Sequence, residues 1–144
     1  MTIVLISAQF RPGLEGRLPA GVEARWYSDG GELLAMVEQA DAVWLHQIDG
    51  PTAREAVARG TRLKWCNVLS SGVDWLPLDL LCERGITLTN GGGIHAQSVA
   101  EFTVMGMLTM AKGWREVVRA QDRHEWLAEP PGKRELLDSQ VLVI

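Results

Sequence analysis

Three stretches carry residue types that could act on a ligand. The first is Ser70-Ser71-Gly72-Val73-Asp74, directly after the apolar run Lys64 to Leu69, which reads as a strand. In open α/β sheets, ligands bind beyond the carboxyl ends of the strands. A glycine in such a turn lets successive backbone N–H groups point at one spot, which suits a carboxylate or phosphate. The same residues also fit an ordinary tight turn fixed by Asp74, and spacing alone favours that plainer reading. The second stretch is Asn90-Gly91-Gly92-Gly93-Ile94-His95-Ala96, in which Gly91, Gly93 and Ala96 match the dinucleotide pattern G-x-G-x-x-A. That pattern needs a further strand ending in an acidic residue about twenty positions on. Arg115 to Arg119 stand there and continue a helical pattern, so the glycines read as a connector or hinge. The third feature is the histidines. Acid–base catalysis needs an orienting partner within reach, and no spacing here supplies one. His124 falls in a polar helical stretch and reads as surface. His46 and His95, at strand or loop ends beside the presumed cleft, remain candidates for ligand contact. Trp65 reads as core and Trp75 as a pocket wall.

These residues are positioned by a regular alternation. Thr2–Ser7, Val22–Tyr27, Ala42–His46, Lys64–Leu69 and Ile86–Thr89 are short, apolar, β-branched runs bounded by turn residues. Between them Leu33, Leu34, Val37 and Ala40 recur at helical spacing. Pro51 and Thr52 open a helix that ends at Gly60, with Ala53, Ala56 and Val57 on one face. A further helix runs from Pro77 to Gly85, with Leu78, Leu81 and Cys82 inward. Apolar strands alternating with helices predict a parallel sheet covered on both faces, doubly wound and of flavodoxin type. After residue 90 the pattern changes. Val99 to Ala111 is apolar nearly all round, which predicts burial on several sides. Ser98 and Glu101 have capping-box spacing. Trp114 to Trp126 reads as a polar helix, 129–133 as a loop, and Gln140 to Ile144 as the start of a new strand, cut short. The division predicted is 1–94 for a substrate-binding domain and 95–144 for a long helix and the start of a truncated second domain.

Composition bounds the partners. With 47% hydrophobic and 22% charged residues, the 144-residue chain can bury a core. A net charge of −4 without Lys/Arg runs disfavours nucleic acid and anionic membrane. No apolar run approaches the about 20 residues needed to cross a bilayer, and no secretory signal is visible. A cytoplasmic location is the expectation. Cys66 and Cys82 lack CxxC spacing and read as buried thiols rather than a disulfide or metal site.

In order along the chain, these motifs resemble one family. Ser71-Gly72-Val73-Asp74-Trp75-Leu76-Pro77-Leu78-Asp79, followed by Glu83-Arg84-Gly85-Ile86, is similar to the substrate loop and following helix of D-isomer-specific 2-hydroxyacid dehydrogenases. Gly93 to Phe102 resembles the start of that family's interdomain helix. Gln121, Trp126 and Leu136 to Ile144 resemble the run-up to its Rossmann strand. Glyoxylate/hydroxypyruvate reductases and phosphoglycerate dehydrogenases belong to this group. The resemblance implies that amides around Ser71, Gly72 and Val73 hold the substrate carboxylate. It places Ser71 near the cofactor, Val99 against the nicotinamide ring, and His46, Gln47 and His95 at the pocket. It implies NAD or NADP, a small 2-oxo or 2-hydroxy acid, and a homodimer when intact. The family's Gly-rich loop, arginine and Glu–His pair match nothing here, so no catalytic residue is assigned in this chain and it is expected to be inactive alone. The alternatives are a stand-alone flavodoxin-like binding or regulatory module, disfavoured by Gln9-Phe10-Arg11-Pro12 where a phosphate loop belongs, and a fragment dimerising through Val99–Ala111.

Overall fold

The computed structural model describes residues 1–142. It divides into two compact units, Met1–Gly93 and Ile94–Ile144. In the first, β1 (Thr2–Ser7), β2 (Val22–Tyr27), β3 (Ala42–Leu45), β4 (Trp65–Val68) and β5 (Thr87–Thr89) form one all-parallel sheet in the order β2-β1-β3-β4-β5. This is the flavodoxin-type order. The crossovers carry α1 (Arg11–Leu14), α2 (Gly30–Met36), α3 (Gly50–Arg59) and α4 (Leu78–Glu83).

Local chemistry starts these helices where they start. The Asp29 carboxylate accepts the Glu32 N–H at 2.9 Å, and Glu32 accepts the Ser28 N–H at 2.8 Å, closing the first turn of α2 from both sides. Asp49 accepts the Thr52 N–H at 2.9 Å and Pro51 fixes the first turn of α3. The N–H bonds made to Asp49 favour its ionised form and lower its pKa. Gly85 leaves α4 at φ +63°, a conformation that a side chain would resist.

Strand alternation sorts the two faces of the sheet. Leu5, Val43, Leu45, Cys66 and Val68 join Leu33, Val37, Ala53, Ala56, Val57 and Leu81 in one buried core under the helices. On the other face, Val4, Ile6, Trp44 and Trp65 line an apolar concavity of about 330 Å3, bordered by Leu14, Leu18 and Pro19 from the β1–β2 connection. Trp65 is therefore not core: it is 44% exposed, and its indole N–H donates to Thr89 Oγ1 at 2.8 Å. In α4 only Leu81 is buried, while Leu78 and Cys82 are exposed, because six residues present a single narrow stripe inward.

The second unit holds α5 (Ala96–Ala111) and α6 (Trp114–Asp122). Here the structure differs from expectation in four ways. The helix expected to be buried all round buries only Ala111, and Phe102, Met105 and Met110 are exposed. One neighbouring helix cannot cover every side of an apolar cylinder. Ser98 is no cap: α5 begins three residues earlier than a Ser98 cap requires, at His95, which makes no side-chain capping bond. α6 stops at Asp122, and His124 follows it, exposed, at φ +55°. Gln140–Leu142 form no strand, since a strand exists only by pairing and no described residue pairs with them; the remainder of that expected strand, 143–144, lies outside the described residues. Among the described residues no helix is long and apolar enough to cross a membrane.

Burial sets an alkaline limit on this fold. It pushes Cys66 from 9.0 up to about 12 and Tyr27 from 10.0 up to about 12. Both groups are neutral when protonated. Between pH 9 and 12 the unfolded chain therefore holds fewer protons than the folded one, and stability falls as pH rises. Urea midpoints measured across that range should drop progressively. In a Cys66→Ala chain the drop should begin about one unit later, near pH 10, where only Tyr27 contributes. Tyr27 is the chain's sole tyrosine, so tyrosinate absorbance should show one midpoint near 12 that returns to about 10 on unfolding.

Candidate anion-binding site

β4 and β5 end side by side, and the segments that follow them are laced together. The Gly91 N–H donates to the Ser70 carbonyl at 3.1 Å. The Asn90 side-chain amide donates to the Ser71 carbonyl at 2.7 Å. The Ser70 hydroxyl donates to the Gly72 carbonyl at 2.8 Å and accepts the Trp75 indole N–H at 3.3 Å. The Leu76 N–H donates to the Val73 carbonyl at 3.0 Å.

Four consecutive carbonyls, Ser70 to Val73, are thus held by donors of the protein itself. A trans peptide group is planar, with its N–H opposed to its C=O. Fixing the carbonyls of Ser70, Ser71 and Gly72 therefore turns the N–H groups of Ser71, Gly72 and Val73 the other way. None of these three N–H groups has an acceptor among the described residues. Ser71 and Gly72 are exposed and Val73 is half-buried. The turn presents a short row of unpaired donors, a feature that favours a negative group. The Asp74 carboxylate acts against it: its Oδ1 lies 3.2 Å from where a Cβ on Gly72 would stand.

The β3–α3 loop reaches the same edge. A Cβ on Gly50 would lie 3.0 Å from the Trp75 carbonyl, so the two loops touch through backbone. This loop carries His46 and Gln47. Gln47 is exposed and sits at φ +53°, uncommon for a residue with a side chain. The His46 ring lies edge-on to Phe10, with centroids 4.8 Å apart, and Phe10 stacks on Trp44 at 5.1 Å. His46 Nε2 is buried with no partner among the described residues.

The structure therefore gathers Ser71, Gly72 and Val73 with the His46–Gln47 loop at one sheet edge. His95 and Val99 belong to the second unit, where His95 precedes the first turn of α5 and Val99 is 61% exposed within that turn. Trp75 is half-buried against the core and anchors Ser70. Two residues have a structural part in the site that sequence reading did not assign. Asn90 clamps the turn from 19 positions away, and Tyr27 acts on the β3 end from the far edge strand. No local spacing could have marked either.

The glycines after β5 are not a pyrophosphate cradle. The Gly91 and Gly92 N–H groups are already used, by the Ser70 carbonyl and by Asn90 Oδ1 at 3.3 Å. The element after α5 is α6, so among the described residues the glycines do not open a βαβ unit.

Residues 5–129 match the family described as D-isomer specific 2-hydroxyacid dehydrogenase, catalytic domain. The chain belongs to this family. Among 2-hydroxyacid dehydrogenase relatives, D-3-phosphoglycerate dehydrogenase of Mycobacterium bovis is 27% identical over 128 residues, 88% of this chain and 24% of that one. The fold also matches solved structures. D-lactate dehydrogenase of Aquifex aeolicus, complexed with NAD and lactic acid, superposes with TM-score 0.63 at 17% identity, covering 93% of this chain and 41% of that one. The NADPH-dependent glyoxylate/hydroxypyruvate reductase of Sinorhizobium meliloti, in complex with citrate, superposes with TM-score 0.66 at 17% identity, covering 96% and 45%. The chain spans about a quarter of the curated relative and less than half of these solved chains.

If the inward bonding is as described, amide exchange reads it directly. The Ser71, Gly72 and Val73 amides should exchange within about ten-fold of unstructured rates, while the Gly91 amide is protected by orders of magnitude. Asn90→Ala should loosen the turn and lower Gly91 protection. Strong protection at Ser71–Val73 in the parent chain would show those donors to be spent internally.

Proposed function

We propose that this chain is the substrate-side portion of an NAD(P)-dependent oxidoreductase that interconverts 2-oxo acids and D-2-hydroxy acids. The observation that carries the reading is the row of unpaired N–H groups at Ser71, Gly72 and Val73, fixed by inward bonding of the preceding carbonyls. Family membership supplies the reaction class. A 2-oxo acid offers a carboxylate at one end and a carbonyl carbon beside it. Seating the carboxylate on three main-chain donors fixes where that carbon lies, which is what a reaction needing near-attack geometry requires. Main-chain donors suit the task because rigid packing has already ordered them, so little entropy is lost on binding.

A bound NAD or NADP gives or takes the hydride in such chemistry. The Gly91 and Gly92 amides are engaged within the chain and do not serve as its phosphate cradle. We assign that cradle, and the acid–base pair, to protein outside this chain. Of this chain's residues, Ser71 and the exposed Val99 are the ones proposed to meet the cofactor. His46, Gln47 and His95 are proposed to bound the substrate. The homodimer of the intact protein is likewise a proposal.

The flavodoxin-like alternative places a flavin at the crevice between β1 and β3, where the strand order reverses. Against it, Tyr27 occupies the end of that crevice, bonded to β3.

Oxalate, a small carboxylate mimic of a 2-oxo acid, tests the reading. Titrated into 15N-labelled chain, it should shift the Ser71, Gly72 and Val73 amides saturably; movement elsewhere without these three would overturn the assignment. Asp74→Asn removes the opposing carboxylate and should tighten oxalate by about three-fold at low salt. With NADH and glyoxylate or pyruvate, the 144-residue chain should oxidise no cofactor above background.

A further inference from the structure

The strand ladder between β1 and β3 ends one step early, and Tyr27 completes it. β1 and β3 pair through Ile6 and Trp44, after which β1 gives way to a tight helical turn at Ala8–Phe10. Beyond that pair the register stops, although Ser7 ends β1 and Leu45 ends β3, and the His46 N–H lies past the last paired position. The Tyr27 hydroxyl bridges β3 at that point. It donates to the Trp44 carbonyl at 2.8 Å and accepts from the His46 N–H at 3.0 Å. A hydroxyl is among the few side-chain groups able to give and take at one atom. Tyr27 lies at the end of β2, opposite Ser7, and reaches across β1 with its ring 1% exposed.

What this bond holds is the entry to a strained loop. Gln47, one residue past the His46 N–H, has φ +53°. A left-handed residue with a side chain persists only where its surroundings fix it. The loop's other end is fixed by the Asp49 cap and by the close approach of Gly50 to the Trp75 carbonyl. Trp75 in turn donates to Ser70, whose hydroxyl holds the Gly72 carbonyl. A continuous run of contacts therefore leads from Tyr27 through the His46–Gly50 loop to the turn that orients the free amides.

We propose that Tyr27 is a positioning residue: its hydroxyl sets the His46–Gln47 loop and, through Gly50, Trp75 and Ser70, the anion affinity of the Ser71–Val73 turn. The proposal rests on the reading of that turn as a carboxylate seat. It makes the single tyrosine part of the site from across the sheet, with β1 and β3 between its strand and β4.

The test is Tyr27→Phe in the 144-residue chain, which removes one oxygen and keeps the ring. The His46 amide should exchange at least about ten-fold faster, and oxalate binding at the Ser71–Val73 amides should weaken by about five-fold. Val37→Ala, a truncation in the same core that removes no atom of these hydrogen bonds, serves as the control for general loosening. It should leave oxalate affinity within two-fold. Reciprocal coupling supplies a second measurement in the parent chain, needed if the variant does not fold. Saturating oxalate should slow exchange of the His46 amide, since a loop that tightens the ligand must be tightened by it. Unchanged oxalate affinity in Tyr27→Phe, equal weakening in Val37→Ala, or no oxalate effect on the His46 amide would each sink the role of Tyr27 while leaving the seat intact. Absence of oxalate shifts at Ser71–Val73 in the parent chain would remove the seat itself, and the proposal with it.

Discussion

A planar peptide cannot present both its ends to the same side, and the β4–α4 turn makes use of that rule. The protein spends its own donors on the carbonyls of Ser70, Ser71 and Gly72, and the amides of Ser71, Gly72 and Val73 are left over as a consequence. The row of donors arises from the backbone alone, without a charged side chain. The Asp74 carboxylate lies beside Gly72 without consuming any of the three donors. If the Asn90 and Gly91 bonds were absent, the turn would be free to rotate those peptides, and the site would cease to be defined.

Everything else in the first unit can be seen as support for that turn. The parallel sheet brings the ends of β3, β4 and β5 to one edge. The β5 end supplies the clamp, through Asn90 and Gly91. The β3 end supplies a neighbouring loop with a left-handed Gln47, braced by Tyr27. The helices α2 to α4 cover one face of the sheet and bury its core, while the other face keeps an apolar hollow beside Trp44 and Trp65. The second unit contains α5, on which Phe102, Met105 and Met110 are exposed.

Sequence reading served best where the physics is local. The strands Thr2–Ser7 and Val22–Tyr27 fall where β-branched runs and turn residues put them, and the helix expected to open at Pro51 and Thr52 opens one residue earlier, at Gly50, behind an Asp49 cap. It served less well where burial is shared among distant elements. Trp65 and Cys82 have apolar surroundings in sequence, yet both point away from the helix-covered core. Ser98 and Glu101 have the spacing of a cap, but α5 starts earlier, because capping residues compete with helix propagation and here the helix extends past them. The strand expected from Gln140 onward lacks a pairing partner among the described residues.

The order of polar and apolar residues by itself determined an alternating α/β chain, a parallel sheet and a Gly72-centred turn at a strand end, because periodicity and turn chemistry act over a few residues. Sequence similarity added the family. Only the tertiary structure decided that the turn's carbonyls face inward, that Asn90 is its clamp and that Tyr27 closes the β1–β3 ladder. Those outcomes rest on single hydrogen bonds that join residues 17 to 21 positions apart. Hydrogen bonds across such gaps leave no periodic trace in a sequence, since any backbone that brings the two ends together will serve.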